Sequence, residues 1–116
     1  MIVAHERDIK ALPSASPDAK GAFMKAIVSP KEGWEGYVMR VVELDPEGYS
    51  PRHSHDWPHI NYCLEGEGVV FIDGKEHELA EGGYAYIPNN KLHQFINKSK
   101  DKKMRFICIV PEVGHY

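Results

Sequence analysis

Residues 46–59 read PEGYSPRHSHDWPH and hold three of the seven histidines in this chain of 116 residues. Side chains two positions apart in an extended segment point to the same face, so His53 and His55 can converge on one point. A proline then interrupts the segment, and His59 can re-enter the same space from the start of the next strand. A fourth histidine, His93, lies on a later predicted strand and could close the set.

Four imidazoles brought together in this way predict a metal site. Neutral imidazole is the commonest metal ligand at physiological pH, and four of them would bind one divalent transition ion such as Mn, Fe, Co, Ni, Cu or Zn. The sequence does not choose among these ions. An HxH pair also occurs in ordinary turns and strands, and a lone histidine is usually a surface residue. We apply that simpler interpretation to His5, His77 and His115.

The rest of the chain predicts an all-β fold. From residue 23 onward, short segments rich in Val, Ile, Tyr and Phe alternate with Gly, Pro and Asn, which is typical of a sandwich or barrel. Asp73-Gly74 is a strong signal for a two-residue hairpin turn. Closure into a barrel would hide the strand edges. We expect an N-terminal arm over residues 1–22 and a barrel domain over residues 23–116. The predicted strands are Phe23–Ser29, Glu35–Leu44, Ile60–Leu64, Val69–Asp73, Lys75–Leu79, Tyr84–Ile87, Leu92–Asn97 and Met104–Val110.

The composition narrows the class of protein. Apolar residues make up 42% and charged residues 27%, which is ordinary for a globular domain. A formal charge of −3 gives no strong electrostatic attraction to nucleic acid or to an anionic membrane, so we expect neither as a partner. No apolar run approaches the roughly 18 residues of a membrane-spanning helix. Cys63 and Cys108 form no disulfide framework, and the charged N-terminal residues do not suit a signal peptide. These features favour a cytoplasmic location.

The first histidine segment resembles the first sequence motif of the cupin superfamily. That motif is G-x5-HxH-x3,4-E-x6-G, and the corresponding residues here are Gly48, His53, His55, His59 and Gly66. The chain departs from the motif by one residue in the first spacer and by His59 in place of the usual glutamate.

A second segment resembles the second cupin motif, G-x5-PxG-x2-H-x3-N. The corresponding residues here are Gly82, Pro88, Asn90, His93 and Asn97. Asn90 replaces a glycine, and asparagine tolerates the left-handed backbone conformation that such a turn can require.

The resemblance implies a single-domain cupin β-barrel, a double-stranded β-helix of jelly-roll type, with one metal ion inside. Carried over position by position, the ligands are His53, His55, His59 and His93. The arrangement is similar to that of the small four-histidine cupins of bacteria and archaea. Without the glutamate, no protein carboxylate offsets the charge of the ion, so an anionic substrate or hydroxide would be attracted to it. The same departure argues against an oxalate oxidase or decarboxylase.

Three further residues are weak candidates for a role near the metal. Arg52 could anchor a substrate carboxylate, although a solvated arginine at the barrel mouth is an equal alternative. Tyr86 is a candidate base for an isomerase or lyase. Cys108 should lie on the inner face of the last strand, either as a small core residue or as a redox-sensitive thiol.

We therefore expect a metal-binding cupin. The function that we favour is that of a metal-dependent oxidoreductase of dioxygenase type acting on a small molecule. The alternatives are a metal-bearing module that binds or senses a small ligand without turnover, and a metal-dependent isomerase or lyase. A homodimer is also expected, because small cupins commonly pair through edge strands.

Overall fold

The computed structural model describes residues 1–115, and about half of these lie in β-strands. Three short 3-10 turns cover Glu6–Asp8, Pro30–Glu32 and Glu112–Gly114. Within the described residues, no helix has the length and apolar character needed to cross a membrane. The strands are β1 (Leu12–Pro13), β2 (Lys20–Val28), β3 (Tyr37–Tyr49), β4 (His59–Glu65), β5 (Glu67–Ile72), β6 (Lys75–Ala80), β7 (Tyr84–Ile87), β8 (His93–Ile96) and β9 (Met104–Pro111).

The strands form one antiparallel sheet that curls into a nearly closed barrel. One layer has the strand order β1-β2-β3-β9-β4-β7, and the other has the order β8-β5-β6. The two layers meet where Tyr49, at the end of β3, pairs with Ile96 of β8. A separate bridge pairs His53 with His93 just beyond that point. The all-β barrel predicted from the sequence is confirmed.

The core lies between the two layers, on the faces that the strand alternation turns inward. On β9, Met104, Phe106, Cys108 and Val110 are all buried, which confirms the predicted inner face of this strand. The rings of Phe95 and Phe106 stack with their centroids 4.4 Å apart and join the two layers. Cys63 and Cys108 are both buried and free, so no disulfide links them.

The main departure from the predicted strands is the length of β3. The sequence predicted an end at Leu44, but β3 continues to Tyr49 through a proline and a glycine. The strand can continue because it changes partners, pairing with β9 as far as Leu44 and with Lys20 of β2 at Tyr49. Glu47 takes a positive φ of 62° within this irregular stretch. This extension carries the chain from the first layer to the second, directly before the histidine segment.

Two turns have the backbone geometry expected from the sequence. Asp73 and Gly74 have φ of 46° and 88°, as a two-residue hairpin of type I′ requires. Asn90 has a φ of 66°, so it adopts the left-handed conformation at the position where the motif usually has glycine. The turn that precedes His93 is therefore preserved with asparagine.

The outer face of β4 and β7 carries an exposed apolar strip, which we call the tyrosine patch: Ile60, Tyr62, Tyr84 and Tyr86. These residues are cross-strand neighbours, because Ile60 pairs with Tyr86 and Tyr62 pairs with Tyr84. β7 is the last strand of its layer, so within residues 1–115 its outer edge has no partner strand.

Candidate metal centre

Four histidines lie together at one end of the barrel. His53 and His93 exchange two backbone hydrogen bonds, with N···O distances of 3.1 and 2.9 Å, which fix the histidine segment against β8. His59 enters from the first residue of β4. Ring centroids within the group are 4.8 to 5.3 Å apart for the neighbouring pairs. The structure thus brings together all four of the histidines that the sequence singled out.

Three of the four rings are held by a hydrogen bond at Nδ1. Nδ1 of His55 lies 3.0 Å from the backbone oxygen of Trp57. Nδ1 of His93 lies 2.8 Å from the backbone oxygen of Lys91, and Nδ1 of His59 lies 2.6 Å from Oδ1 of Asn61. Each partner is an oxygen acceptor, so Nδ1 is the protonated nitrogen and Nε2 carries a free lone pair. Metal-ligating histidines are typically oriented in this way.

The free nitrogens converge at a spacing that suits a bound cation. Nε2 of His59 is 3.2 Å from Nε2 of His93. Bonds from zinc to imidazole are about 2.0–2.1 Å long, so two ligand nitrogens on one ion lie about 3.0 to 3.4 Å apart. Ligand atoms of His53, His55 and His93 also all lie within 4.8 Å of one another. His59 is not in this mutually close group of three and joins it through His93, and these imidazole donors suit a divalent transition ion.

The electrostatic surroundings keep these rings uncharged at neutral pH. Burial, together with repulsion from the neighbouring histidines, lowers the pKa of His53 to about 4. Burial is also the main reason why the pKa of His93 falls to about 4, and it lowers the pKa of His55 and His59. Neutral imidazole is the form that binds a metal, so the site needs no proton loss at pH 7.

An indole ring forms one wall beside the cluster. Trp57 stacks on the ring of His55, with centroids 4.4 Å apart and planes at 7°. The turn over Glu112–Gly114 lies against the indole, because a β-carbon at Gly114 would overlap with it. The C-terminal turn therefore fixes Trp57, and Trp57 in turn limits the movement of His55.

Two residues beside the cluster were missed in the sequence. Asn61 is wholly buried on β4 and orients His59, while Arg40 of β3 is half-buried and extends toward Cys108. The guanidinium of Arg40 donates to Sγ of Cys108 at 3.1 Å and is close enough to help lower the pKa of His53. Nothing in the sequence around Arg40 predicts that its side chain lies near the histidines, because it is a single arginine within a long strand. For Asn61, the only signal is its spacing of two from His59, which places both side chains on one face.

Of the three weaker candidates, Cys108 is the one that the structure places near the histidine cluster. It faces inward as predicted, and its role beyond packing stays a prediction. Arg52 lies on the outer face of β5 and β8, where Nε donates to Gln94 at 3.2 Å and the guanidinium stacks on Phe71. Tyr86 is 61% exposed and belongs to the tyrosine patch on the outside of the barrel. The structure does not bring Arg52 or Tyr86 to the histidines.

A surface depression of about 710 Å³ lies at the opposite end of β4. It is bordered by the turn at residues 65–67 and by the loop that contains Ser99, Lys102 and Lys103. None of its lining residues belongs to the histidine cluster. We therefore place the candidate site at the histidines rather than in this depression.

Comparison with known families agrees with the geometry. The family described as "Cupin domain" matches residues 40–110, which is more than half of the chain and includes all four histidines. The chain belongs to the cupin family. Cupins commonly bind a metal, and this cupin has a histidine group able to do so, while the identity of the ion is open.

Two curated relatives of this cupin are enzymes of different classes. It is 38% identical over 56 residues to the dimethylsulfoniopropionate lyase DddW of Ruegeria pomeroyi, a match that covers 48% of this chain and 37% of that protein. It is 29% identical over 86 residues to the quercetin 2,3-dioxygenase of Bacillus subtilis, covering 72% of this chain and 26% of that one. The matches thus span less than two fifths of the relatives' own length.

Among solved structures, the polyketide cyclase RemF from Streptomyces resistomycificus is similar to this cupin, with a TM-score of 0.89 and 28% identity. The match covers 96% of this chain and 79% of that one. Lyase, dioxygenase and cyclase therefore all occur among the relatives, so membership of the family does not by itself select a reaction.

Proposed function

We propose that this cupin is a metal-dependent oxidoreductase of dioxygenase type, and that His53, His55, His59 and His93 hold one divalent transition ion on which a small molecule is oxidised. The observation that carries the proposal is the convergence of the free Nε2 atoms of His59 and His93 at 3.2 Å, with both Nδ1 atoms engaged by oxygens. When bound, the ion would act as a Lewis acid and as a template for substrate and dioxygen.

The protein's own residues would prepare the site in two ways. Asn61 and the backbone oxygens of Lys91 and Trp57 hold three of the imidazole rings. Binding of the ion would therefore require little rearrangement of these rings. The group of converging donors found in residues 1–115 consists of histidines only. No ligand carboxylate would then offset the charge of the ion, which favours a substrate that is anionic or can become so.

The similarity to the quercetin 2,3-dioxygenase of Bacillus subtilis supports the oxidative chemistry, since that match covers 72% of this chain. The position of Tyr86, exposed on the outside of the barrel, agrees with a reaction that does not use it as a base.

A second candidate is a metal-dependent lyase, cyclase or isomerase. It is favoured by the 28% identity and TM-score of 0.89 to the polyketide cyclase RemF and by the match to the lyase DddW. Such a reaction would need a base near the substrate. A binding or sensor module without turnover would use the same histidines and is the third outcome of the test.

The test begins with metal analysis by mass spectrometry of the untagged protein. We expect about one equivalent of a transition ion in the wild type, and loss of the ion in a His59→Ala, His93→Ala double variant. His77→Ala is the matched control, because His77 is an exposed histidine on β6 that should not affect metal content. Absence of metal from the wild type after reconstitution would overturn the proposal.

The second step separates the three functions. The metal-loaded protein is mixed with enediols, flavonols, 1,3-diketones and small carboxylic acids in an oxygen electrode. Oxygen uptake that requires both substrate and ion supports the dioxygenase. Metal-dependent turnover without oxygen uptake would assign the lyase or cyclase class, and tight binding without turnover would assign the sensor.

A further inference from the structure

A row of three side chains crosses the inner face of the barrel on adjacent strands. In the strand register, Arg40 of β3 pairs with Cys108 of β9, and Cys108 pairs with Asn61 of β4. Neighbouring strands are about 4.8 Å apart, so the backbones at Arg40 and Asn61 are separated by about 10 Å. The small side chain of Cys108 lies between two longer polar ones. The row therefore places a small side chain between two hydrogen-bond donors, and we call this part of the inner face the recess.

Both ends of this recess hold polar atoms without a partner. Nε of Arg40 and Nδ2 of Asn61 are buried and form no hydrogen bond. Within residues 1–115 the guanidinium donates one hydrogen bond, to Sγ of Cys108, and no carboxylate there forms an ion pair with Arg40. Buried polar groups in proteins nearly always have a partner. The guanidinium of the half-buried Arg40, which has no anionic partner, is a second exception.

The recess adjoins the histidine cluster without being part of it. Oδ1 of Asn61 is bound to Nδ1 of His59, whereas the converging Nε2 atoms lie on the far side of that ring. The guanidinium also acts on the cluster, since its charge helps to lower the pKa of His53, His55 and His59. A molecule held in the recess would lie next to the proposed ion.

We propose that Arg40 and Asn61 form an anion subsite that binds the carboxylate of a small-molecule substrate beside the histidine cluster. The inference deepens the proposed function, on which it rests for the reaction, by naming the substrate class as small carboxylic acids. A planar guanidinium matches the two oxygens of a carboxylate, and an amide N–H can donate to one of them. Water could satisfy the hydrogen bonds but would leave the charge of Arg40 unpaired.

This subsite would also orient the substrate. With its carboxylate between Arg40 and Asn61, the remainder of the molecule would lie toward the Nε2 side of His59. A substrate without a carboxylate would lose this anchor. Among cupins with the same four histidines, the preference for carboxylate substrates would then depend on the residues at these two positions.

The test is a titration of the 15N-labelled full chain followed by NMR, in both metal-free and zinc-loaded forms. Propionate is the probe, and propionamide is its uncharged counterpart. We expect propionate to shift the Nε–H signal of Arg40 and the side-chain amide signals of Asn61, and propionamide to leave them unchanged. These signals report on binding in the absence of any turnover.

Three variants make the assignment specific. Arg40→Met should weaken propionate binding at least tenfold, and Arg40→Lys, which keeps the charge but not the planar fork, should weaken it less. Asn61→Asp keeps an acceptor for Nδ1 of His59 but removes the donor and adds a negative charge. It should retain the metal and lose propionate. Arg52→Met is the control, because Arg52 lies on the outer face.

Each outcome decides the subsite independently of the metal. Equal affinity of the wild type and Arg40→Met for propionate, or equal response to propionate and propionamide, would overturn it. Metal binding without propionate binding would refute the subsite alone. Propionate binding by a chain that takes up no metal would refute the proposed function and leave the subsite standing. Dispersed amide spectra confirm that each variant is folded. If Arg40→Met does not fold, the propionate affinity of Arg40→Lys is compared with that of the wild type instead.

Discussion

The Nε2 atoms of His59 and His93 face each other at 3.2 Å while the Nδ1 atom of each ring is bound to an oxygen. With Nδ1 protonated in both neutral rings, neither Nε2 has a proton to share, so two lone pairs are directed into the same small space. A cation between them removes this repulsion. The arrangement is therefore more stable with an ion than without one.

The orientation of His59 depends on Asn61, and this gives a first prediction. Asn61→Leu removes the acceptor at Nδ1, so the ring can rotate or adopt the other tautomer. We expect the dissociation constant for zinc to rise roughly 10- to 100-fold, as is typical when the outer partner of a ligand is lost. Competition with a chromogenic chelator measures the change. His77→Ala, at the exposed histidine of β6, is the control and should bind zinc as the wild type does, and an unchanged affinity in Asn61→Leu would contradict the prediction.

The sequence carried enough information for the fold and the four histidines, because both depend on short spacings. HxH in an extended segment fixes a common face for His53 and His55, and the turn before His93 depends on one backbone conformation that Asn90 supplies. The positions of Arg40 and Tyr86 depend instead on which face of a strand is turned inward. In β7, Tyr84-Ala85-Tyr86-Ile87 has no contrast of polar and apolar residues that would reveal that face.

The same limit applies to contacts that depend on strand register. Arg40 and Asn61 are brought together through Cys108 only because β3, β9 and β4 are neighbours in a particular alignment. Neither the order of strands in the sheet nor their alignment can be derived from local patterns. The proposed anion subsite was therefore outside the reach of sequence reasoning.

Asn97 is predicted to be a major source of stability rather than a ligand. Its Nδ2 donates to the backbone oxygens of Leu44, Asp45 and Lys102 at 3.2, 3.0 and 2.8 Å. Asn97→Ala removes three hydrogen bonds, one of them fully buried, so the free energy of unfolding should fall by about 3 kcal/mol. Urea denaturation measures the loss. Asn89→Ala, at an exposed site, should change it by less than about 0.5 kcal/mol, and a similar small effect at Asn97 would contradict this role.

Cys63 gives a prediction about pH. Burial raises the pKa of this thiol, and Sγ donates to the backbone oxygen of Glu65 at 3.5 Å. The thiol therefore loses its proton more readily in the unfolded chain than in the folded one. Its contribution to stability is complete below the ordinary pKa of about 8.5 and is lost as the pH rises above that value.

The measurement for Cys63 is urea denaturation at pH 7.5 and pH 9.5. The wild type should lose more stability between these two values than Cys63→Ala, which lacks the titrating group. Other groups that titrate at high pH affect both proteins equally, so the difference isolates the thiol. Equal losses in the two proteins would show that Cys63 does not contribute.

The tyrosine patch leads to the last prediction, which concerns assembly. Exposed apolar side chains on neighbouring strands, beside the open edge of β7, are the features through which sheets associate. A second copy of the chain presents the same patch and the same edge, and a two-fold axis lets identical surfaces pack against each other. We therefore expect a homodimer that buries Ile60, Tyr62, Tyr84 and Tyr86.

Light scattering coupled to gel filtration tests this assembly. The wild type should elute at the mass of two chains, and a Tyr84→Glu, Tyr86→Glu double variant should elute at the mass of one, because charges of the same sign would face each other across the axis. A Glu76→Lys, Glu78→Lys variant on the exposed face of β6 changes charge on another strand and should remain a dimer. The metal content of the double variant should match that of the wild type, since the patch lies outside the barrel and the four histidines lie within it. A wild type at the mass of one chain would contradict the homodimer. A dimer that survives both glutamates would place its interface away from the tyrosine patch.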